Sequence, residues 1–232
     1  MESGTYRLND PLYLVDEQPK DIWRQMVLKV REVGFRSGSW CDVGCASGAL
    51  LRYLDSQFAL DECVGIDPSG DLLALAAKRG PDGASWLQDS LPRLGQVRGR
   101  TFDAVSCSGV LCLMDDLAAN LRALSTLVGT AGHLFVIDLI NPTPIDVIMR
   151  YRRSGSEVWE MAYNTFSEET YRSIAGDLGM KVDFTAANLP FSIEKSVDPM
   201  RAWTTRVGEN PHQVVSGTGQ ILMFSIATFS WL

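Results

Sequence analysis

From Trp40 to Leu139 the chain alternates short apolar runs with amphipathic ones, and this rhythm restricts its fold more than any other feature. Trp40-Cys-Asp-Val-Gly44, Cys63-Val-Gly-Ile-Asp67, Ala84–Gln88, Phe102-Asp-Ala-Val-Ser-Cys107 and Gly132–Leu139 read as strands. Between them, Leu50, Leu51, Leu54 and Phe58 recur at helical spacing. Leu117, Leu121, Leu124 and Val128 do so again, up to Gly129. Ser69 is placed to cap a helix with Asp71 in its first turn, Lys78 and Arg79 in its last and Gly80 at its exit. An earlier helix opens at Pro19, buries Ile22, Trp23, Met26, Val27, Val30 and Val33, and ends at Gly34. Strands alternating with helices imply a parallel sheet covered on both faces, joined by right-handed crossovers.

The last third breaks the rhythm. Ser167 caps a helix with Tyr171, Ile174 and Leu178 inward and Gly179 at its end, and Met180–Ala187 follows as a strand. From Pro190 to Thr218 only short strand-like pieces appear, Met200–Val207 and Gln213–Ser216, parted by Asp198-Pro199 and Gly208-Glu-Asn-Pro211. Gln220–Trp231 reads as a final strand. Two late strands without a helix between them cannot form a parallel crossover, so the last strand is expected to run antiparallel to its neighbours.

The 232 residues suit one domain. Lys and Arg number 21 against 28 Asp and Glu, a net charge of −7 that argues against a nucleic-acid partner. The apolar stretch Ile221–Leu232 is too short to span a bilayer, and the N-terminus shows no signal-peptide pattern. Cys41, Cys45, Cys63, Cys107 and Cys112 lie in apolar, strand-like surroundings without a Cys-x-x-Cys pair. They read as buried reduced thiols of a cytoplasmic protein, not as disulfides or metal ligands.

Three polar elements end successive strands. Asp42-Val-Gly-Cys-Ala-Ser-Gly48 is a strand, a tight glycine turn and a helix start. Gly44 would let a ligand approach the backbone, and Gly48 would let the helix begin near it. Asp67 ends the next strand, where a carboxylate can accept the ribose hydroxyls of an adenosine ligand. Asp89, followed by Ser90, ends the third, where it can accept an exocyclic amine of adenine. All three converge on the carboxyl edge of the sheet, where open α/β sheets bind ligands. A dinucleotide fingerprint is not met, because Ala46 stands at the middle glycine position, and no P-loop is present.

These segments, with Val64-Gly-Ile-Asp67-Pro-Ser, Gln88-Asp89-Ser90, Phe102-Asp-Ala-Val-Ser-Cys-Ser108 and Gly132-His-Leu-Phe-Val-Ile-Asp138, resemble the class I S-adenosylmethionine-dependent methyltransferases. The resemblance covers residues 38–187 and the final strand. It implies a Rossmann-like three-layer α/β sandwich, with a mostly parallel seven-stranded sheet, an antiparallel last strand and a small β insertion before it. It also implies S-adenosyl-L-methionine as cofactor and S-adenosyl-L-homocysteine as product. The loop from Asp42 through Gly44, Cys45 and Ala46 to Gly48 would face the methionine part, and Asp67 with Pro68 the ribose. Asp89 and Ser90 would meet adenine, and Ser106 and Cys107 would line the floor. The single domain 1–232 would divide into an N-terminal lid and helix (1–37), a cofactor core (38–140), an acceptor-side connection (141–166), the β insertion (190–218) and the final strand (219–232).

The methyl acceptor is less legible. Histidine is the usual base for a hydroxyl acceptor, and the chain has two. His133 begins the fifth strand, on the far edge, and reads as structural. His212, in the insertion, is the base candidate, or else a surface-loop residue. Asp138 is a second candidate, as base or acceptor anchor; otherwise it caps the Asn141-Pro142 turn. Met149-Arg-Tyr-Arg-Arg153 is a local reversal of charge. Arg150, Arg153 and Arg201 suit phosphate or carboxylate oxygens, against the alternative of a solvated face. Trp159, Tyr163 and Trp203 are candidate flat walls for a sugar ring, or else core or lid packing, and Tyr6 and Tyr13, in the N-terminal lid, are candidate ligand contacts.

The reading is a methyltransferase of a small-molecule hydroxyl, anionic or sugar-like, acting as a monomer or homodimer without metal, membrane or nucleic acid. Methylation of a metabolite amine or carboxylate is the alternative, as is a non-catalytic cofactor-binding scaffold.

Overall fold

The computed structural model describes residues 18–152, 154–187, 189–195, 202–215, 221–222 and 224–231. The chain starts with α1 (Asp21–Glu32), β1 (Ser37–Val43), α2 (Ala49–Gln57), β2 (Ala59–Asp67), α3 (Gly70–Arg79) and β3 (Ser85–Gln88). Then come β4 (Phe102–Ser108), a short 3-10 turn (Leu111–Leu113), α4 (Leu117–Ser125) and β5 (Val128–Asn141). An arm carries β6 (Arg150–Tyr151) and β7 (Glu160–Met161), and β8 (Phe166–Ser167) leads into α5 (Glu168–Asp177). The last elements are β9 (Met180–Ala186), β10 (Trp203–Val207), β11 (Asn210–Val215), β12 (Ile221–Leu222) and β13 (Phe224–Trp231).

The main sheet has the order β3-β2-β1-β4-β5-β13-β9, with the two-residue β8 beside the end of β5. The strands from β1 to β5 are parallel, whereas β13 is antiparallel to both β5 and β9, as the missing crossover helix requires. The small insertion is a separate three-stranded sheet, β10-β11-β12. The arm and β8 go beyond the sequence reading.

One face of the sheet packs Val43, Ile66, Val105 and Leu134 against Leu121 and Leu124 of α4 and Tyr171 of α5. The other packs Trp40, Phe135 and Ile226 against α1 and α2, through Trp23, Met26, Val30, Leu51 and Leu54. Burying side chains of this size contributes about 1.5–3 kcal/mol each. Trp40 lies between Phe58, at 6.2 Å, and Phe135, at 5.7 Å. As expected, Ser69 caps α3 through the Leu72 N–H, and Ser167 caps α5 through the Thr170 N–H.

The first helix was grouped with a lid, but its apolar face is part of the core. Its last turn meets the end of α2, where Arg31 donates to Gln57 at 3.1 Å. Since α2 runs from the carboxyl edge of the sheet to the amino edge, α1 does the same, so residues 1–17 precede a helix that starts on the carboxyl edge. Those residues, Tyr13 among them, lie outside the described ones, as do Arg153 and Arg201.

Candidate functional site

Three strand ends and the glycine turn form the crevice. The turn is anchored to β2, with the N–H groups of Gly44 and Cys45 both donating to the Ile66 carbonyl, at 2.7 and 3.0 Å. Gly44, Ala46 and Gly48 have φ of 80°, 47° and 75°. Glycine suits that region, and alanine there carries about 1–2 kcal/mol of strain. The expected reason for Gly44 changes: a Cβ there would lie 2.2 Å from Cγ2 of Val110, a protein side chain and not a ligand. Gly48, Gly65 and Gly80 all make room for the indole of Trp86, which a Cβ would meet at 2.7, 2.3 and 2.2 Å. Sequence reading left Gly65 and Trp86 without a role; a glycine inside an apolar strand is the signal of close approach that identifies them.

Asp67 ends β2 and is buried. Its Oδ2 accepts the Ala46 N–H and its Oδ1 the Ser69 N–H, both at 2.9 Å. Burial raises its pKa, and these two bonds oppose the rise. Asp67 therefore ties the glycine turn to the start of α3. Asp89 works similarly in the next loop, accepting from the N–H groups of Ser90 at 2.8 Å and Gln96 at 2.9 Å.

Asp42 is buried at the end of β1 and accepts the Ser106 hydroxyl at 2.6 Å, and Ser106 in turn accepts from the Trp40 indole at 2.9 Å. Burial pushes the Asp42 carboxyl up to about 7, with the Ser106 bond opposing and the charge of Asp67 adding. Ser106 and Cys107 were expected to line the floor, but both are fully buried within β4. Ser106 is turned down to Trp40 and Asp42, and Cys107 belongs to the apolar core. Ser108 and Gly109, at the strand end, are the accessible residues. Cys45 is buried as well, while Gly44, Ala46, Pro68, Asp89 and Ser90 keep accessible surface. All five thiols are free and buried.

Asp138 was expected to end the fifth strand, but β5 runs on to Asn141, and Asp138 is buried within it, paired with Ser225 of β13. Its Oδ2 accepts the Cys112 N–H at 2.9 Å and its Oδ1 the Leu139 N–H at 2.7 Å. It braces the 3-10 turn after β4, not the turn at Asn141-Pro142, which Asn141 closes itself through the Thr143 N–H at 3.0 Å. Burial pushes its carboxyl up to about 6, against these bonds. His212 lies on β11, half-buried, two residues from Val214, which packs on Leu139. Alternate strand residues share a face, so His212 lies on that face about 7 Å further along. His133 stacks on Phe135 at 6.1 Å near the amino edge, and burial lowers its pKa.

Arg150 was read as an anion binder, but its guanidinium is engaged by both oxygens of Asp115. That contact holds the Asp115 carboxyl below its usual range. Beside it, the buried side chain of Asn164 donates to the Met114 carbonyl and accepts the Met149 N–H, both at 2.9 Å. The Lys195 ammonium lies 5.4 Å from the ring of Trp203, on β10, whose indole N–H is buried without a hydrogen-bond partner. Among the described residues no group of three His, Cys, Asp or Glu side chains is arranged to hold a metal ion, and no helix is long and apolar enough to cross a membrane.

A family profile described as "Methyltransferase domain" matches residues 15–183, well over half of the chain. The chain belongs to this family. Its resemblance to the S-adenosylmethionine-dependent class and its Rossmann-like fold are thereby borne out. Over 95 residues the methyltransferase is 34% identical to a dTDP-3-amino-3,6-dideoxy-alpha-D-glucopyranose N,N-dimethyltransferase of Streptomyces fradiae. That match spans 38% of this chain and 34% of the relative. Among solved structures it is similar to an amino pentose methyltransferase from Micromonospora echinaspora with bound SAM, at TM-score 0.56 and 17% identity, over 98% of this chain and 99% of that one. A magnesium protoporphyrin IX methyltransferase from Synechocystis with bound SAH gives 0.57 and 16%, over 96% and 92%. At such identities the likeness shows the fold.

The crevice suits S-adenosylmethionine. Gly48, the N-cap of α2, has no side chain to satisfy the first-turn N–H groups, which leaves donors for a carboxylate. The carboxylates of Asp42 and Asp67, at the ends of the neighbouring strands β1 and β2, suit a ligand that carries ammonium and sulfonium charge.

Proposed function

We propose that the methyltransferase moves a methyl group from S-adenosylmethionine to the amine of a small, sugar-like metabolite. The observation that carries the choice of amine is the state of Asp138. Both of its oxygens accept main-chain N–H groups, so we read it as a brace of the chain around it and not as the base. An amine in its neutral form attacks without a base, whereas a hydroxyl must lose a proton as it attacks. The amino-sugar N,N-dimethyltransferase relative points the same way.

The bound cofactor would supply an electrophilic methyl group. This chain's residues supply the positioning, which is the main source of rate in such a transfer. The glycine turn and the first turn of α2 bind the methionine end, and Asp67 keeps the turn in place beside the ribose. Asp89 and Ser90 border the adenine. Asp42, behind the turn, provides negative charge. The lid expected from the sequence, Tyr13 included, falls in residues 1–17, outside the described ones. The buried thiols suit a reducing cytoplasm. The second reading is transfer to a hydroxyl, with His212 as base; its face on β11 favours this.

The test is turnover, followed by mass spectrometry, with paired amino and hydroxy sugars as acceptors. Methylation of the amino member alone supports the proposal, and methylation of the hydroxy member alone transfers the role to His212. Absence of S-adenosylhomocysteine binding in calorimetry would remove both.

A further inference from the structure

The arm formed by β6 and β7 presents a candidate site outside the strand-end crevice. Arg150 pairs with Met161 and Tyr151 with Glu160, and opposite residues of an antiparallel pair share a face. The face of Met149 and Ala162 is turned inward, with Ala162 buried and Met149 held by Asn164. On the other face, one step beyond the ladder, the Arg152 guanidinium stacks on Trp159, 5.2 Å from the ring centroid. Trp159 is 61% exposed, and Val158 beside it 66%. Arg150, on the same face, is fixed to Asp115 in the loop after β4. Arg152 lies two strand residues away, about 7 Å. The face therefore borders the rim of the crevice.

A solvated indole leaves a large flat apolar surface unused. Arg152 covers one side of it and keeps its edge N–H groups for oxygen acceptors. Arg150 is matched by Asp115, and Glu157 and Glu160 lie on the opposite side of the arm, so among the described residues Arg152 is the cation left for an anionic group there. A ligand that fits has a flat ring for the open indole surface and anionic oxygens for the guanidinium edge. We propose that the arm binds a nucleoside diphosphate, its base on Trp159 and a phosphate at Arg152. As the handle of a methyl acceptor this subsite rests on the function proposed above; as a nucleotide site it does not.

The full chain would be titrated calorimetrically with uridine diphosphate, with thymidine diphosphate, and with uridine and inorganic pyrophosphate as separated halves. Saturable binding of the diphosphates is expected, with each half at least tenfold weaker. Trp159→Ala and Arg152→Ala should each weaken it at least tenfold while S-adenosylhomocysteine binds as before, which shows the fold intact. Absence of saturation, or undiminished affinity in Trp159→Ala, overturns the proposal. So does a Trp159→Ala variant that changes the sedimentation coefficient but not nucleotide affinity, since the face then joins two copies of this chain. Nucleotide binding without S-adenosylhomocysteine binding would keep the subsite and remove the methyl-transfer reading.

Discussion

The carboxylate of Asp67 accepts the main-chain N–H of Ala46 at 2.9 Å across the mouth of the crevice. Its second oxygen holds Ser69, so a single buried side chain sets the distance between the glycine turn and the start of α3. Asp67→Ala would leave two N–H groups without partners, at about 1–3 kcal/mol each. The expected result is a fall in stability of about 2–5 kcal/mol in denaturant unfolding and a loss of S-adenosylhomocysteine affinity of at least a hundredfold in calorimetry. Asp67→Asn, which keeps one acceptor, should fall between. Unchanged affinity in the alanine variant would show that the turn needs no brace.

Gly44 and Val110 form a second such pair. A Cβ on Gly44 would lie 2.2 Å from Cγ2 of Val110, at a φ of 80°. Gly44→Ala is expected to cost about 2–4 kcal/mol, from left-handed strain and overpacking together. Adding Val110→Ala removes the methyl in the way, so the double variant should lose less than the sum of the singles. Additive losses would mean that strain alone governs the site. Ala46, at φ 47°, gives the opposite sign. Ala46→Gly should stabilise by up to about 1 kcal/mol and leave cofactor affinity intact.

The sheet and its helices were legible because a parallel layer needs buried apolar runs at regular intervals, and residues 40–139 provide them. Asp67 and Asp89 were legible as strand-end carboxylates. The direction of each side chain was not. Ser106 lies within β4, and only the distant Trp40 indole and Asp42, 64 residues away, explain why it turns inward. Arg150 looked free because its partner Asp115 is 35 residues distant. The strands β6, β7 and β8 have two residues each, too few for any periodicity to register.

Asp42 links the site to pH. Burial raises its folded-state carboxyl to about 7, above the ordinary value of 3.8. The folded protein therefore holds a proton that the unfolded chain has released. That contribution to stability is complete below about pH 4 and is lost as pH rises through 7. Asp138, at about 6, acts in the same direction over a slightly lower range. Asp42→Asn should flatten the fall in melting temperature between pH 5 and 8. A positively charged ligand favours the ionised carboxyl, so S-adenosylmethionine should lose affinity relative to S-adenosylhomocysteine below pH 7, by at most about tenfold per unit. Parallel pH profiles for the two would separate Asp42 from the sulfonium.

The roles of Asp138 and His212 divide cleanly by experiment. Asp138 holds Cys112 and Leu139, so Asp138→Asn should act through structure. It should lower the melting temperature and cofactor affinity, and it should not remove an ionisation from the pH profile of kcat. His212 lies on the β11 face that packs by Leu139 through Val214, and no hydrogen bond joins it to Asp138. His212→Ala should leave S-adenosylhomocysteine affinity within about twofold of the original. With an amine acceptor its kcat should fall less than about tenfold, because removal of a general base costs typically 10²–10⁴-fold only where a proton must leave in the transition state. A fall of a hundredfold or more, with a basic limb lost from the pH profile, would make His212 the base and the acceptor a hydroxyl.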